Sequence, residues 1–349
     1  MSKSVAVAGN GYTLIEHAPL QARNTFGVPA KTELLIDVHR IDALGEVLAF
    51  PLVRRLPLLV LGAGSNVLFT RDWPGVVLSL FAHAIEIRDD DGRQARIRVE
   101  AGANWNDFVH WSLAHGFAGL ENLVAIPGTV GAAPIQNIGA YGTEVAEFIE
   151  VVEVFDRHQG RIETLSAGEC AFAYRDSLFK HAYDRYIVTA VEFVLPRQRA
   201  LRLDYAGVRE ELAAMGVDRP TPATTAEAVA RVRARKLPDP AAIGNAGSFF
   251  KNPLVDGPTL EALREKYPDL PHWPAGEGAK VSAAWLIEHA GLRGAREGDA
   301  AVSKQHALVL VNLGRATGAE ILALARHVRD GVASRFGIEL EPEPRIVGA

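Results

Sequence analysis

The chain has 349 residues, 48% of them hydrophobic and 23% charged, enough for about two domains with a substantial core. A net charge of −5 leaves no basic footprint for nucleic acid, and the single cysteine, Cys170, excludes an internal disulfide and any multi-cysteine metal site. The longest early apolar run, Leu56 to Leu61, is broken by Pro57 and far too short for a bilayer, and the N-terminus lacks a signal-peptide pattern. These features set the expectation of a cytoplasmic enzyme with no metal, membrane or nucleic-acid partner.

Leu58 to Leu61 reads as a short buried strand running into Gly62-Ala63-Gly64-Ser65-Asn66. Dinucleotide and P-loop fingerprints need a strand, a glycine loop and then a helix N-terminus. Here Val67-Leu68-Phe69 reads as another strand, followed by a turn at Trp73-Pro74-Gly75 and a strand over Val76 to Leu80. Both fingerprints therefore fail. The loop reads either as a plain turn or as a nest of backbone N–H groups for an anion.

Ile97 to Val99 reads as a strand, and a helix is predicted from Trp105 to Ala114, with Asn104 as N-cap and Gly116 as C-cap. Trp105, Val109 and Leu113 share its core face. The stretch from Ile126 to Gly142 then holds four glycines, two prolines and three alanines with almost no charge. It is either a tightly packed irregular core segment or backbone laid against a ligand. Phe148 to Phe155 and Ile162 to Leu165 flank a turn at Gly160 as in a hairpin, and Tyr186 to Leu195 is a long strand. Between them, Arg175 beside Asp176 reads as a surface pair or as a placed guanidinium.

Pro220-Thr221-Pro222 marks a domain edge, and Thr224 or Thr225 caps a helix carrying Arg231, Arg233, Arg235 and Lys236. These cations suit the helix C-terminus and would equally suit a diphosphate. Gly244-Asn-Ala-Gly-Ser-Phe-Phe-Lys-Asn-Pro253 follows, which is either a polar strand end or a hydroxyl presented to a ligand. Helices are predicted over Ser282 to Ala290 and after the capping box Thr317-Gly-Ala-Glu320, with a strand over Ala307 to Val311 between them. The helix after Thr317 buries Ile321, Leu324, Val328 and Val332. The end, Glu341-Pro-Glu-Pro-Arg345, has the composition of an exposed tail. Strands and helices alternate without a βαβ period, which indicates an α+β protein.

Taken in order, these segments resemble the bacterial UDP-N-acetylenolpyruvoylglucosamine reductases, in their longer, type I form. The resemblance rests on Asn24-Thr-Phe-Gly27, Gly62 to Asn66, Ile126 to Gly131, Gln136 to Gly142, Tyr174-Arg-Asp-Ser177, Lys236-Leu-Pro-Asp-Pro240, Gly244 to Pro253 and Pro342-Glu343. It implies a two-subdomain, non-Rossmann FAD-binding region like that of vanillyl-alcohol oxidase over 20–197, with the subdomain boundary near 66–75. A substrate-binding α+β domain over 220–343 follows, and a tail, 344–349, returns toward the first subdomain.

The resemblance also implies roles. Non-covalent FAD is expected on Gly62, Ala63, Gly64, Ser65 and Asn66, on Pro127, Gly128, Thr129, Gly131 and Ala132, and on Asn137, Gly139, Ala140 and Tyr141. Arg175, Ser248 and Glu343 fall on catalytic positions. Tyr205 and Lys236 fall on diphosphate positions, with Asn252 and Gln305 completing the substrate set. Asn24 to Gly27 holds no His or Cys for covalent flavin attachment, and Pro344 stands where the family often has an aliphatic residue. The implied reaction is NADPH-dependent reduction of an enolpyruvyl ether on a nucleotide sugar by a monomeric enzyme. Ser248 would protonate C2, while Arg175 and a protonated Glu343 steady the carboxylate. The alternatives are an oxidase on the same fold and a non-catalytic nucleotide-sugar binder. The former lacks a use for the Ser248 and Glu343 segments; the latter has no need of all three catalytic positions.

Overall fold

Alternating and fully apolar strand patterns account for the sheets seen in the computed structural model, which describes residues 6–205 and 207–348. By its contacts the chain divides into two units. The first comprises the stretch ending at Ala18, Thr32–Ala63 and Pro74–Arg235; the second comprises Pro19–Lys31, Gly64–Trp73 and the chain from Lys236 onward.

The first unit holds two five-stranded sheets. One runs in the order Ala6–Ala8, Tyr12–Glu16, Thr32–Val38, Trp73–Leu80, Leu58–Val60, and its last pair is parallel. Helices Leu44–Ala49 and Pro51–Arg55 cover it, burying Leu44, Val47 and Val53 against Ile36, Val76 and Leu78. The other sheet is antiparallel throughout, in the order Arg161–Ser166, Ile149–Asp156, Tyr186–Pro196, Gln94–Glu100, Ile85–Asp90. The predicted helix Trp105–Ala114 packs Trp105, Phe108 and Val109 into the core of this sheet, and Asn104 accepts the Asp107 N–H as its N-cap. His115 is the C-cap, with Gly116 following at φ +77°.

In the second unit, Gly244–Ser248 pairs with Val309–Asn312, which continues through Ala300–Val302 to Arg296–Glu297. A three-stranded sheet joins Leu254–Val255, Gly278–Val281 and His272–Ala275. The helix Gly318–Phe336 starts at the predicted capping box and buries Ile321, Leu324, Val328 and Val332.

Three local expectations are corrected. Trp73-Pro74-Gly75 is the start of the strand Trp73–Leu80 rather than a turn. Trp73 donates its N–H to the Lys31 carbonyl at 2.7 Å, and proline is tolerated at a strand's beginning. The cationic helix begins at Pro222, not after Thr224 or Thr225, because proline at N1 is pre-set for a helix and the Thr221 hydroxyl accepts the Thr224 N–H. Its contacts place this helix with the first unit through Arg235. The closing Glu-Pro-Glu-Pro stretch is no exposed tail. Arg345–Val347 pairs in parallel with Val67–Phe69, and Phe250 bridges Pro342. The strand Ile85–Asp90 carries no apolar alternation; it is an exposed edge strand.

One buried ion pair pins the hairpin of the second sheet. Asp156 is fully buried and accepts from Arg185 Nε at 2.9 Å and Nη2 at 2.7 Å, while its Oδ1 takes the His158 N–H at 2.7 Å. The guanidinium bonds hold its carboxyl down, at about 2. Because the folded-state value lies below the unfolded one, this contribution is complete above about pH 4 and is lost as the pH falls toward 2. Asp156→Ala should cost about 3 kcal/mol at neutral pH and flatten the acid limb of the stability curve between those values, measured by urea unfolding across pH. An acid limb as steep as that of the parent chain would remove Asp156 from this role.

Candidate active site

In the first unit the apolar glycine segment is folded on itself and strapped down. Val130 and Gly131 donate to the carbonyls of Ala103 and Ala101 at 2.8 and 2.9 Å, and Ala132 closes onto the Thr129 carbonyl at 3.0 Å. Gly128 lies at φ +141°, and a Cβ on Gly131 would stand 2.5 Å from that of Ala101. The backbone is therefore pressed flat on the end of the Gln94–Glu100 strand, where only glycine fits. Gly62 lies against the same segment, since a Cβ there would stand 2.8 Å from the Thr129 hydroxyl.

The N–H groups of Gly62 and Ala63 and the hydroxyl of Thr129 form no hydrogen bond among the described residues. Three donors grouped around a glycine turn fit the phosphates of FAD, so the expected cofactor residues suit that group. Asn137 is different. It is 1% exposed, donates to Glu144 Oε2 at 2.8 Å and to the Ala173 carbonyl at 3.1 Å, and accepts from Ala146 at 3.0 Å. Its side chain is spent inside the unit. Ala140 and Gly139 form a two-residue ladder with Thr143 and Glu144.

Arg175 occupies the corner of a tight turn closed by reciprocal bonds between Ala173 and Asp176, at 3.1 and 3.2 Å. It lies at φ +53°, a left-handed conformation that costs a non-glycine residue about 1–2 kcal/mol. Such strain persists only where surroundings enforce it. Ser177 donates to the Ile135 carbonyl at 2.6 Å, Lys180 to the Arg175 carbonyl at 3.1 Å, and Asp176 accepts from His181 at 2.8 Å. Asp176 is thus taken by His181. The Arg175 guanidinium reaches back to the Gly139 carbonyl at 2.6 Å and lies over the Tyr174 ring.

The same unit brings Tyr141, Tyr205 and Arg233 together. The two tyrosine rings meet edge to face with centroids 5.0 Å apart. Burial lifts the Tyr141 hydroxyl above its ordinary pKa, with Arg233 acting against that. Burial also pulls Arg233 below the ordinary guanidinium range, and the Arg175 cation pushes in the same direction. The other two arginines of the helix are neutralised. Arg231 pairs with Glu227 at 2.7 Å, and Arg235 pairs with Glu211. Among the described residues Arg233 has no ion pair or hydrogen bond. The sequence placed it in a cluster suited to a diphosphate without singling it out; the signal was its position two residues from each paired arginine, on another side of the helix.

The second unit builds the other half of the expected set on one backbone ladder. Ser248 ends the Gly244–Ser248 strand, and the next residue, Phe249, accepts the Glu343 N–H at 2.8 Å while Lys251 donates to the Glu341 carbonyl at 3.0 Å. Phe249 and Phe250 are buried beneath, at 0% and 2% exposure. Asn66 fixes the far side of Glu343: its amide donates to the Glu343 carbonyl at 3.3 Å, and its own carbonyl accepts from Arg345 at 3.0 Å. Pro344 therefore sits in a held, extended path. Gly64, at φ +65°, is pressed onto the Arg23 carbonyl, which a Cβ would meet at 2.0 Å.

The first quoted motif positions the Ser248 strand. Asn24 locks its own turn through bonds to Leu20 and Val28 at 2.9 and 3.0 Å, and Asn245 donates its N–H to the Thr25 carbonyl at 3.0 Å. Asn252 accepts the Ala283 N–H at 3.0 Å. Lys236 and Gln305 flank His306, whose imidazole is held below its ordinary pKa by burial and then by the charge of Lys236.

A model of an FAD binding domain matches residues 32–166, and a model of the C-terminal domain of UDP-N-acetylenolpyruvoylglucosamine reductase matches residues 239–347. With the non-Rossmann fold, these matches define a flavin-dependent oxidoreductase. UDP-N-acetylenolpyruvoylglucosamine reductases from Xanthomonas euvesicatoria pv. vesicatoria and Xanthomonas axonopodis pv. citri are 54% and 53% identical to it, each over 342 residues, 97% of this chain and 97% of the relative. The solved reductase from Thermus caldophilus superposes with a TM-score of 0.66 at 28% identity, covering 94% of this chain and 97% of that one. The chain belongs to the UDP-N-acetylenolpyruvoylglucosamine reductase family.

The glycine packing gives a test of the cofactor cradle. Gly131→Ala places a methyl 2.5 Å from Ala101 Cβ and 3.0 Å from its Cα, so the segment must move. The variant should stay folded by circular dichroism, lose about 1–3 kcal/mol of stability and purify with less FAD per chain. Full flavin content, read from the absorption band, would show that this contact does not shape the cradle.

Proposed function

We propose that the protein reduces the enolpyruvyl ether of UDP-N-acetylglucosamine enolpyruvate to the lactyl ether of UDP-N-acetylmuramate, in peptidoglycan precursor synthesis. The observation that carries this reading is the ladder that holds Ser248 beside the Glu343 backbone. It brings a neutral hydroxyl and a carboxyl onto two stretches of backbone joined by the Phe250–Pro342 bridge. Non-covalent FAD, when bound and reduced by NADPH, would supply a hydride for C3 of the enolpyruvyl group. Gly62, Ala63 and Thr129 offer donors for its phosphates, and the segment from Pro127 to Tyr141 offers a bed of small, uncharged residues. The FAD-binding region is assigned to 20–197, the substrate domain to 220–343 and the returning end to 344–349.

Hydride arrival at C3 leaves negative charge at C2, which spreads into the substrate carboxylate. Arg175 is held by its enforced left-handed backbone and by its bond to the Gly139 carbonyl, so its conformational cost is met before substrate arrives. Glu343, in its protonated form, donates a hydrogen bond to the same carboxylate. Ser248 then gives its hydroxyl proton to C2. A serine hydroxyl is a weak acid, but the carbanion is a strong base, and position matters more than a shifted pKa. Arg233 joins the expected set in this reading. A cation that faces another cation without a carboxylate partner favours an anion, and the substrate brings a carboxylate and a diphosphate. Tyr205, Lys236, Asn252 and Gln305 are assigned to the diphosphate and nucleotide end. No helix of the described residues is long and apolar enough to cross a membrane, and the Cys170 thiol is pushed up by burial to about 12. A cytoplasmic monomer is the assignment that goes with this reading.

Two experiments test it. In stopped flow, Ser248→Ala should leave flavin reduction by NADPH nearly intact and slow reoxidation by the enolpyruvyl substrate about 10²- to 10⁴-fold, with Ser248→Cys retaining more. Arg175→Lys keeps the charge but loses the planar fork, and should slow the same half-reaction. A Ser248→Ala defect confined to flavin reduction would refute the proton-donor role.

Lys236→Ala tests substrate binding. Loss of one charge-assisted phosphate contact is worth about 1.5–3 kcal/mol, so KM for the nucleotide sugar should rise about 10- to 100-fold while the NADPH half-reaction is spared. An unchanged KM counts against Lys236 as a phosphate ligand.

A further inference from the structure

The first unit contains a cavity of about 450 Å³ lined by none of the residues assigned above. It opens between the helical pair Leu44–Ala49 and Pro51–Arg55 on one side and the end of the Ile149–Asp156 strand on the other. Its apolar floor is made by Leu48, Val53 and Phe155, the last two 2% and 7% exposed. Its rim carries Arg54, Arg157 and His158. That volume lies within the range of small-molecule sites, about 300–1,000 Å³.

The charges on this rim are unbalanced. Next door, Asp156 is consumed by Arg185, as described above. Arg157 donates only to the backbone carbonyl of Asp184, and no carboxylate lies within ion-pair distance of it among the described residues. Burial lowers its pKa, with the Asp184 charge opposing. The Arg54 guanidinium and the His158 imidazole form no hydrogen bond or ion pair among the described residues. A partly desolvated guanidinium without a carboxylate is costly, and a second arginine on the same rim increases the positive potential. Asp184, also on the rim, is the one acidic side chain of the lining, and it meets Arg157 through its main chain.

We propose that this cavity is a second binding site, for a small organic anion with an aromatic or branched apolar body. The apolar floor takes the body, and Arg157 and Arg54 take a carboxylate or phosphate monoester in forked geometry. A bare inorganic anion leaves the floor uncovered, and a neutral aromatic leaves the arginines unpaired. The site is distinct from the nucleotide-sugar site, because no residue of one serves the other.

The test uses the FAD-loaded full-length protein saturated with UDP-N-acetylmuramate, so that the substrate site is filled. Phenyl phosphate and benzoate are titrated and followed by saturation-transfer NMR, with inorganic phosphate and benzyl alcohol as controls. The two aromatic anions should bind saturably, and both controls should bind about tenfold more weakly or not at all. Whichever aromatic anion binds more tightly identifies the acid group preferred. Arg157→Gln and Arg54→Gln should each weaken the aromatic anion about tenfold or more, and Arg157→Lys should recover part of the loss. Flavin content and reductase turnover should stay within about twofold, since neither arginine belongs to the catalytic set. Arg54 is exposed, so its variant folds even where Arg157→Gln does not. Absence of saturable binding at about 10 mM probe, affinity undiminished in Arg54→Gln, or benzyl alcohol binding as tightly as phenyl phosphate would each overturn the proposal.

Discussion

The hydrogen bond from the Glu343 N–H to the Phe249 carbonyl is the contact on which the second unit's arrangement depends. It ties the residues leading into the strand Arg345–Val347 to the residue just after the strand that ends at Ser248, across more than ninety intervening residues. Pro342 and Pro344 flank Glu343 and have no N–H. Between Glu341 and Arg345 the only main-chain donors left at the centre are therefore those of Glu343 and Arg345, and each has one assigned acceptor, Phe249 and Asn66. The fixed φ of each proline narrows the remaining freedom. A sequence that looks like a solvated tail is thus a held segment leading into a strand, its path chosen by which residues are able to donate.

The first unit solves a related problem without a ladder. A segment that has to lie flat against a ligand needs small residues, and small residues offer little apolar area to hold it in place. The segment is held by polar straps instead. Val130 and Gly131 bond to the end of a core strand, Ser177 grips Ile135, and Arg175 grips Gly139. The last strap is also a residue with an assigned chemical role. Arg175 is therefore tied to the bed on which the flavin is proposed to lie, so the position of one sets the position of the other.

Regular elements were readable from the sequence where side-chain pattern and capping agreed. The helix Trp105–Ala114 and the helix Gly318–Phe336 have a polar N-cap, an acidic first turn and an apolar stripe, and all three point to the same boundaries. The hairpin of Ile149–Asp156 and Arg161–Ser166 was equally legible through Gly160, at φ +67°. Strands at edges were not. Ile85–Asp90 pairs by backbone alone and exposes nearly all its side chains, so no period appears. Trp73-Pro74-Gly75 carries turn residues in a strand because its partner, Lys31, lies more than forty residues earlier and leaves no local trace. In the candidate site, the residue types and their order were visible, whereas Arg233 was not. Its distinction from Arg231 and Arg235 lies in Glu227 and Glu211, which neutralise those two and leave it alone.

Buried asparagines explain how so much irregular backbone keeps one shape. Asn24, Asn137, Asn245 and Asn312 are each 6% exposed or less, and each bonds main-chain groups of a loop rather than a helix or strand ladder. An amide side chain carries two donors and an acceptor on a short stem, so it satisfies carbonyls and N–H groups that a turn leaves unpaired. Leaving such a group unpaired in the interior costs about 1–3 kcal/mol, which exceeds what a loop of glycine and alanine gains by burial. Asn312 shows the logic most fully. It donates to Phe26 at 3.0 Å and accepts from Gly314 and Ala316, both at 3.0 Å. Phe26 in turn backs Gly244, where a Cβ would stand 2.3 Å from its carbonyl oxygen. One amide thereby fixes the loop that seats the Ser248 strand. The chemistry assigned to this protein asks little of acidity and much of placement, and placement on loops is a matter of backbone groups being individually answered. For that reason residues such as Asn24, Asn245 and Asn312, which touch no proposed reacting atom, belong to the physical basis of the site as fully as Ser248 does.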